Sequence, residues 1–321
     1  MESIKVIIVS TWNIPCGIAT YTEDIIRNGT SEVDYEVFQI SKSDWAFATK
    51  GKLEEIYKDF EHSIADRDIV YFQHEHGIWG AERGHKFALK NFLNFFKIAL
   101  KRQKKIVISL HTDFSESRIN KNKLFYQFKR WKNLRRIKPL VKLINQSKSI
   151  VYVHSEKSKY FLQKIGVLEN LIKVVNHPCE AIMNIKEKDI QKCSTKFDYE
   201  LNAIIIGMFG FVGRYKGHDI ALNVLASLPK NYKLLIVGGQ HPEDRSEYFN
   251  YLLEQIEELG VVDRVQITGW VSQEEAEAFL GRTKICIAPY REVGLSGSGA
   301  LTWLLKSNRW IVVSKIDAFL P

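Results

Sequence analysis

A chain of 321 residues, 45% apolar and 26% charged, with 7 Pro and 19 Gly, has the composition of a globular protein and excludes a disordered or collagenous one. At roughly 150 residues per domain the length predicts two domains, each large enough to bury a core without disulfides or a structural metal. The net charge of +9 is uneven: residues 101–148 hold fifteen Lys and Arg against Asp113 and Glu116, an excess of +13 that leaves −4 on the rest. Such a block favours an anionic partner, whether phospholipid, nucleic acid or an acidic acceptor. The four cysteines, Cys16, Cys179, Cys193 and Cys286, form no CxxC pair, as in a reducing compartment. The opening MESIKVIIVSTWNIP is too weakly apolar and too poor in positive charge for a secretory signal, and no stretch reaches the ~18 apolar residues of a membrane span. The expected location is cytoplasmic, with a peripheral position on the inner membrane face if the basic block meets anionic lipid.

Short β-branched runs alternate with longer amphipathic stretches from end to end, the pattern of parallel sheets covered by helices. In the first half the predicted strands are IKVIIVS (4–10), YEVFQI (35–40), DIVYFQH (68–74), KIVISLH (105–111), SIVYVH (149–154) and IKVVNHP (172–178). Helices are predicted over 19–28, 84–101, 122–144 and 156–165. A polar stretch near 180–200 separates this series from a second one, AIIIGMF (203–209), KLLIVGG (233–239), RVQITG (264–269), KICIAP (284–289) and WIVVS (310–314). The expected class is α/β, with an N-terminal doubly wound, Rossmann-like domain over 1–190 and a second over 191–321. Two such domains are expected to face each other across a cleft, with ligands at the carboxyl ends of the strands. The sequence stops soon after the fifth strand of the second series, which predicts a shortened second sheet.

Three segments carry candidate chemistry. After the first strand, TWNIPCGIATYTED turns into a helix, and Gly17 permits close backbone approach there; a plain βα turn is the competing reading. After the seventh strand, GMFGFVGRYKGHD places Arg214 and Lys216 in a glycine-rich loop before a helix. Arg engages phosphate oxygens bidentately and Lys adds a point charge, so this is a diphosphate site in miniature, against a solvated surface turn. In PYREVGLSGSGALTWLLKSN, Ser296-Gly297-Ser298-Gly299 precedes a helix whose unpaired N–H groups can receive phosphate oxygens. The hydrolase pattern G-x-S-x-G is not satisfied, because neither serine has glycine at both −2 and +2.

These segments, together with QHEHGIWG, ISLHTDF, VYVHSEKSKYFL, KVVNHP and TGWVS in this order, resemble the GT-B-fold glycosyltransferases, and among them the retaining family 4 enzymes. The resemblance runs almost the whole length. It implies that Arg214 and Lys216 hold the donor diphosphate and that Gly17 lies by the sugar phosphate. It implies as well that His111 touches the donor sugar near its reacting carbon, that Trp270 and Val271 border the nucleobase, and that the backbone at Ser298, Gly299 and Ala300 meets phosphate. The family's Glu-x7-Glu pair is altered: eight residues after Glu292 stands Ala300, and anchoring on the following helix puts Trp303 where the ribose-binding Glu would be. Glu292 is the remaining candidate beside the donor sugar.

His74, Glu75 and His76 end a strand, with 74 and 76 on one face. Contact with acceptor or sugar is the preferred reading over a metal, since no third ligand is recognisable from spacing. Asp66-Arg67-Asp68 has D-x-D spacing but precedes its strand, at the end opposite to ligands, and reads as a solvated turn. His154 and His177 also end strands, where a structural role is equally open. KNKLFYQFKRWKNLRRIKPLVKLI interleaves Phe125, Phe128 and Trp131 with cations, either as core contacts or as an interfacial helix that brings a lipid-linked acceptor.

The expected function is transfer of a hexose from a UDP- or GDP-type nucleoside diphosphate sugar to a hydroxyl of a glycan or lipid-linked acceptor. Retention of configuration, no metal and no further cofactor are expected. The alternative is a divergent homologue without transfer activity that binds membrane or nucleic acid through residues 101–148. The nucleic-acid version lacks any zinc-finger, RRM or bZIP signature.

Overall fold

The computed structural model describes residues 3–14, 16–112, 136–179, 182–183, 190, 195–198, 200, 202–240, 247–291, 297–316 and 319. Two compact units result, one of residues 1–176 and the other of 177–293 with 298–320. The aromatic positions 125, 128 and 131, together with Glu292 and Ser296, lie outside the described residues.

Unit 1 runs β1 (Ile4–Ser10), α1 (Gly17–Arg27), β2 (Val33–Gln39), α2 (Lys42–Ala46), α3 (Lys50–Ser63), β3 (Ile69–His74), α4 (His85–Lys101), β4 (Lys105–Leu110), α5 (136–147), β5 (Ile150–Val153), α6 (Glu156–Lys164) and β6 (Ile172–Val174). Its six strands are parallel in the order β2-β1-β3-β4-β5-β6. Side chains alternate across the sheet, so β3 divides its residues between two environments. Val70 and Phe72 pack into the apolar core, where Phe72 meets Phe92 and Phe96 of α4. That helix is apolar at Ala88, Leu89, Phe92, Phe95, Phe96 and Ala99, a stripe at three- and four-residue spacing that faces the sheet. Tyr71 and Gln73 face the other way, where the Tyr71 hydroxyl shares a hydrogen bond with Ser109 of β4 at 2.7 Å.

The D-x-D segment does structural work at the amino ends of these strands. Asp68 Oδ2 accepts from the Lys5 backbone N–H at 2.8 Å. The Arg67 guanidinium pairs with Asp34, Glu36 and Asp66, fastening β2 to the turn before β3.

Unit 2 runs β7 (Ile204–Phe209), α7 (His218–Ser227), β8 (Tyr232–Val237), α8 (Tyr248–Glu258), β9 (Val265–Ile267), α9 (Gln273–Gly281), β10 (Ile285–Ala288), α10 (Gly299–Lys306) and β11 (Trp310–Val313). Its five parallel strands follow the order β11-β10-β7-β8-β9. From β7 the chain winds outward through β8 and β9, then crosses back to β10 on the other side. The topological switch therefore falls between β7 and β10, and in such sheets ligands bind at the carboxyl ends beside the switch. The core of this unit is built by Met208, Leu222, Leu225, Leu234, Ile236, Leu252 and Ile256.

Candidate active site

At the switch point of unit 2 the chain leaves β7 through Gly210, forms a single 3-10 turn over Arg214–Lys216, and enters α7 at Gly217. Gly217 has φ +72, and a Cβ there would run into the carbonyl oxygen of Pro289 at the end of β10. Only glycine lets the two strand ends meet so closely. Gly238, at the end of β8, has φ +142, and a Cβ on it would strike the Gly210 carbonyl. The turns after β7, β8 and β9 are knit by backbone hydrogen bonds, Gly210 N–H to Val237 O at 2.9 Å, Val212 N–H to Gly239 O at 2.8 Å and Gly269 N–H to Gly238 O at 3.1 Å.

Onto this glycine floor folds Lys216. Its side chain is buried, and a Cβ placed on Gly210 would stand 2.6 Å from Lys216 Nζ and 3.5 Å from the Ala300 Cβ. The ammonium thus lies beside the first turn of α10, so the loop lysine and the helix start converge. Among the described residues no carboxylate pairs with it. Burial alone pulls its pKa down to about 8, the signature of a cation held out of water without a counter-charge. Arg214 is exposed, with its guanidinium 5.9 Å from the centre of the Tyr248 ring.

The Lys216 loop is braced by residues that the sequence does not single out. Arg291, just past β10, gives two parallel hydrogen bonds to Asp219, at 2.9 and 2.7 Å, and a third to the Arg214 carbonyl at 2.6 Å. The Tyr248 hydroxyl donates to Asp219 Oδ1 at 2.7 Å. Burial works against the Asp219 carboxylate, but the hydrogen bonds from Arg291 and Tyr248 outweigh it and hold its pKa at about 2. His218 is wholly buried next to Lys216. Burial, reinforced by that ammonium, takes its pKa down to about 3, so the ring is neutral.

The start of α10 is capped by Ser298, whose Oγ accepts from the Leu301 N–H at 3.2 Å. The His177 ring comes within 3.6 Å of where a Gly299 Cβ would be, which brings the strand-end histidine to this helix start. Trp303, one turn further along, stacks on Phe209 of β7 at 4.5 Å, and the buried Lys306 ammonium sits 3.7 Å from its ring centre while pairing with Glu277 at 3.1 Å. An aromatic stack therefore stands where the resemblance places a carboxylate. Trp270 is 64% exposed and stacks on Phe211 at 5.4 Å, and Val271 follows it, half-buried.

In unit 1 the strand ends are rich in histidine. His74 is buried between His76 and Phe92, with ring centres at 5.2 and 4.6 Å, and His76 in turn meets His85 at 5.3 Å. Burial, then the neighbouring His76, drives the His74 pKa well below its ordinary value. The Glu75 carboxylate accepts from the Gly77 N–H at 2.8 Å. His111 follows β4 with its ring edge-on to Tyr21 of α1 at 4.6 Å and 5.3 Å from His154. Gly17 opens α1 on the surface with nothing within 4 Å of its Cβ direction, and the Cys16 side chain caps no backbone group. Thr22 turns inward to Ser10 at 2.7 Å. Among the described residues no three His, Cys, Asp or Glu side chains are grouped as for a metal ion, and no helix is long and apolar enough to cross a membrane.

The two parallel-sheet units, with a glycine-floored, cation-bearing switch point in the second, are the architecture of the GT-B fold. Residues 189–296 match the family model of glycosyl transferases group 1. Among solved structures, the chain is similar to Anabaena Alr3699/HepE in complex with UDP and glucose, with TM-score 0.71, 17% identity, and 98% of this chain and 82% of that one covered. It is similar also to sucrose-phosphate synthase from Thermosynechococcus elongatus, with TM-score 0.67, 12% identity and coverages of 98% and 82%. A third likeness is to an alpha,alpha-trehalose-phosphate synthase (UDP-forming) from Burkholderia vietnamiensis, with TM-score 0.58, 12% identity and coverages of 98% and 86%. No curated protein sequence matches the chain.

Proposed function

We propose that the chain is a retaining glycosyltransferase that moves a hexose from a nucleoside diphosphate sugar to an acceptor hydroxyl. One observation carries the reading: a buried lysine, without a carboxylate partner among the described residues, lies between a glycine turn and the start of α10. Bond breaking at the anomeric carbon puts negative charge on the departing diphosphate. A cation and N–H groups already in place stabilise that charge without reorganising at the moment of reaction. Arg214 adds a second, mobile cation at the rim. With two cations at the diphosphate, the transfer is proposed to run without a metal ion, and EDTA is then expected to leave turnover unchanged. Trp270 on Phe211 offers an aromatic face for the base, supported by the complexes of structural neighbours with UDP. His111 is assigned to the sugar, and His74, Glu75 and His76 to the sugar or acceptor. The acceptor is proposed to be a glycan or a lipid-linked precursor, the latter met at an anionic membrane through residues 101–148.

The test is a panel of UDP- and GDP-sugars assayed by thermal shift and by transfer to a hydroxyl acceptor. A nucleotide sugar that raises the melting temperature in wild type and fails to do so in Lys216→Met supports the assignment. Stabilisation by anionic vesicles or polynucleotide alone, with no response to any nucleotide sugar, overturns it in favour of a binding protein.

A further inference from the structure

The turn that presents Arg214 and Lys216 has little to hold it by itself. It is one 3-10 turn with Gly213 before it and Gly217 after it, closed by the Lys216 N–H to the Gly213 carbonyl at 2.9 Å and the Gly217 N–H to the Arg214 carbonyl at 3.3 Å. Glycine at both ends raises the entropy lost on fixing such a turn, and 3-10 hydrogen bonds have poor geometry. The turn stands at the switch point, where β7 and β10 pair at Ile206–Ile285 and Gly207–Cys286, before either strand ends. Past those pairs Arg291 takes hold of the turn. Its backbone N–H donates to the Tyr215 carbonyl at 2.7 Å and its Nη1 to the Arg214 carbonyl at 2.6 Å, so the two carbonyls ahead of Lys216 are both held from the end of β10.

The guanidinium is itself aimed. Nη1 and Nη2 give the parallel pair of bonds to Asp219 at 2.9 and 2.7 Å, and the Tyr248 hydroxyl, from the first residue of α8, donates to the same carboxylate at 2.7 Å. Both N–H groups of Nη1 are thereby spent on protein oxygens, one on Asp219 and one on the Arg214 carbonyl. A planar fork meets this set of directions, and a lysine ammonium does not. We propose that Arg291 is a positioning residue for anion binding: steered by Asp219 and Tyr248, it holds the Arg214–Lys216 turn in the form that receives a diphosphate. This role rests on that turn being the diphosphate site. A turn already in shape leaves less ordering to be done on binding, so the gain falls on the diphosphate and not on the nucleoside.

The experiment titrates UDP, and uridine, which lacks the phosphates, into the full chain as wild type, Arg291→Lys, Asp219→Asn, Lys216→Met and the Arg291→Lys/Lys216→Met pair. Arg291→Lys keeps the charge and loses the fork, and is expected to weaken UDP about tenfold with uridine changed less than about twofold. A general loss of structure would weaken both. Added to Lys216→Met, the same change is expected to cost only about twofold, because the lysine it positions is gone. Asp219→Asn is expected to weaken UDP as well; were Arg291 a direct phosphate ligand, freeing it from Asp219 would tighten UDP instead. Tyr248→Phe removes one hydroxyl and is the mildest variant, with an expected loss of about threefold on UDP alone. Equal losses for UDP and uridine, unchanged UDP affinity in Arg291→Lys, or tighter UDP in Asp219→Asn overturns the role of Arg291. If any of these comes with Lys216→Met binding UDP weakly, the diphosphate reading stands; Lys216→Met that binds UDP as tightly as wild type overturns that reading and the role of Arg291 with it.

Discussion

The carboxyl ends of the two sheets are built alike and carry opposite chemistry. In unit 2 the ends of β7 and β10 present Arg214, Lys216 and Arg291 over turns of glycine, and burial leaves Lys216 still largely charged at neutral pH, with its pKa near 8. In unit 1 the ends of β3, β4 and β5 present His74, His111 and His154 among Tyr21 and Tyr71, and burial pushes His74 toward the neutral form. One scaffold thus buries a cation that no carboxylate pairs with among the described residues, the proposed anion site, and elsewhere buries a histidine, His74, that is driven toward its neutral form. The difference lies in which residue types the turns deliver. Both sheets are parallel, and both set their candidate residues where ligands meet doubly wound folds.

The sharpest way to break this contrast is to remove the cations. Arg214→Ala and Lys216→Ala are each expected to lower kcat on the order of a hundredfold or more, the ~2.7 to 4 kcal/mol typical of losing one transition-state donor. Steady-state kinetics with the donor found in the panel reads this directly, and near-normal turnover in both variants would end the claim that unit 2 is the anion-binding half.

Next in size is Gly217→Ala, which combines a strained positive φ with a collision at the Pro289 carbonyl. A loss of about 3 kcal/mol in urea unfolding is expected. Gly17→Ala, with open space around it, should change stability by no more than about 0.5 kcal/mol and serves as the comparison.

A smaller effect is expected at the clasp of the loop. The folded-state pKa of Asp219 is lowered, so its contribution is present above the unfolded value near 4 and fades as pH falls through about 2. Asp219→Asn should therefore cost about 2 kcal/mol at pH 7 and almost nothing near pH 2, as read by chemical denaturation across that range. Smallest is Trp270→Ala, which should weaken nucleotide affinity by about fivefold, near 1 kcal/mol, and leave the melting temperature unchanged because the ring is mostly exposed.

Much of this frame is legible in the sequence. Every β-branched run becomes a strand within two residues of its predicted start, because buried parallel strands are nearly continuous apolar segments. The loop GRYKGHD and the helix start SGSGAL stand out because glycine marks places where backbone must approach backbone or ligand. Missed among the helices of unit 1 are α2 and α3. The second has its apolar residues at Leu53, Ile56, Tyr57 and Phe60, a clear helical spacing that frequent charges obscure.

The clasp of Asp219 with Tyr248 and Arg291 is invisible to local reading. Its members are 29 and 72 residues apart and meet only because the switch point sets β10 beside β7. The contact between Gln73 and His111 is hidden for a similar reason: it depends on β3 and β4 being neighbours in a register that puts His74 opposite Leu110, one residue before His111. Trp303 shows the reverse case, where departure from a family pattern is readable at once but the stack it makes on Phe209 is not.

The most direct measurement is calorimetric titration of UDP into wild type and Lys216→Met between pH 7 and 10, in buffers of different ionisation enthalpy. If the buried ammonium grips the diphosphate, the bound anion raises its pKa, so binding above pH 8 takes up a proton and the affinity declines as pH rises, while the Met variant binds weakly with neither effect. Wild-type affinity that is flat across this range without proton uptake, or a Met variant that binds as tightly as wild type, would contradict the account.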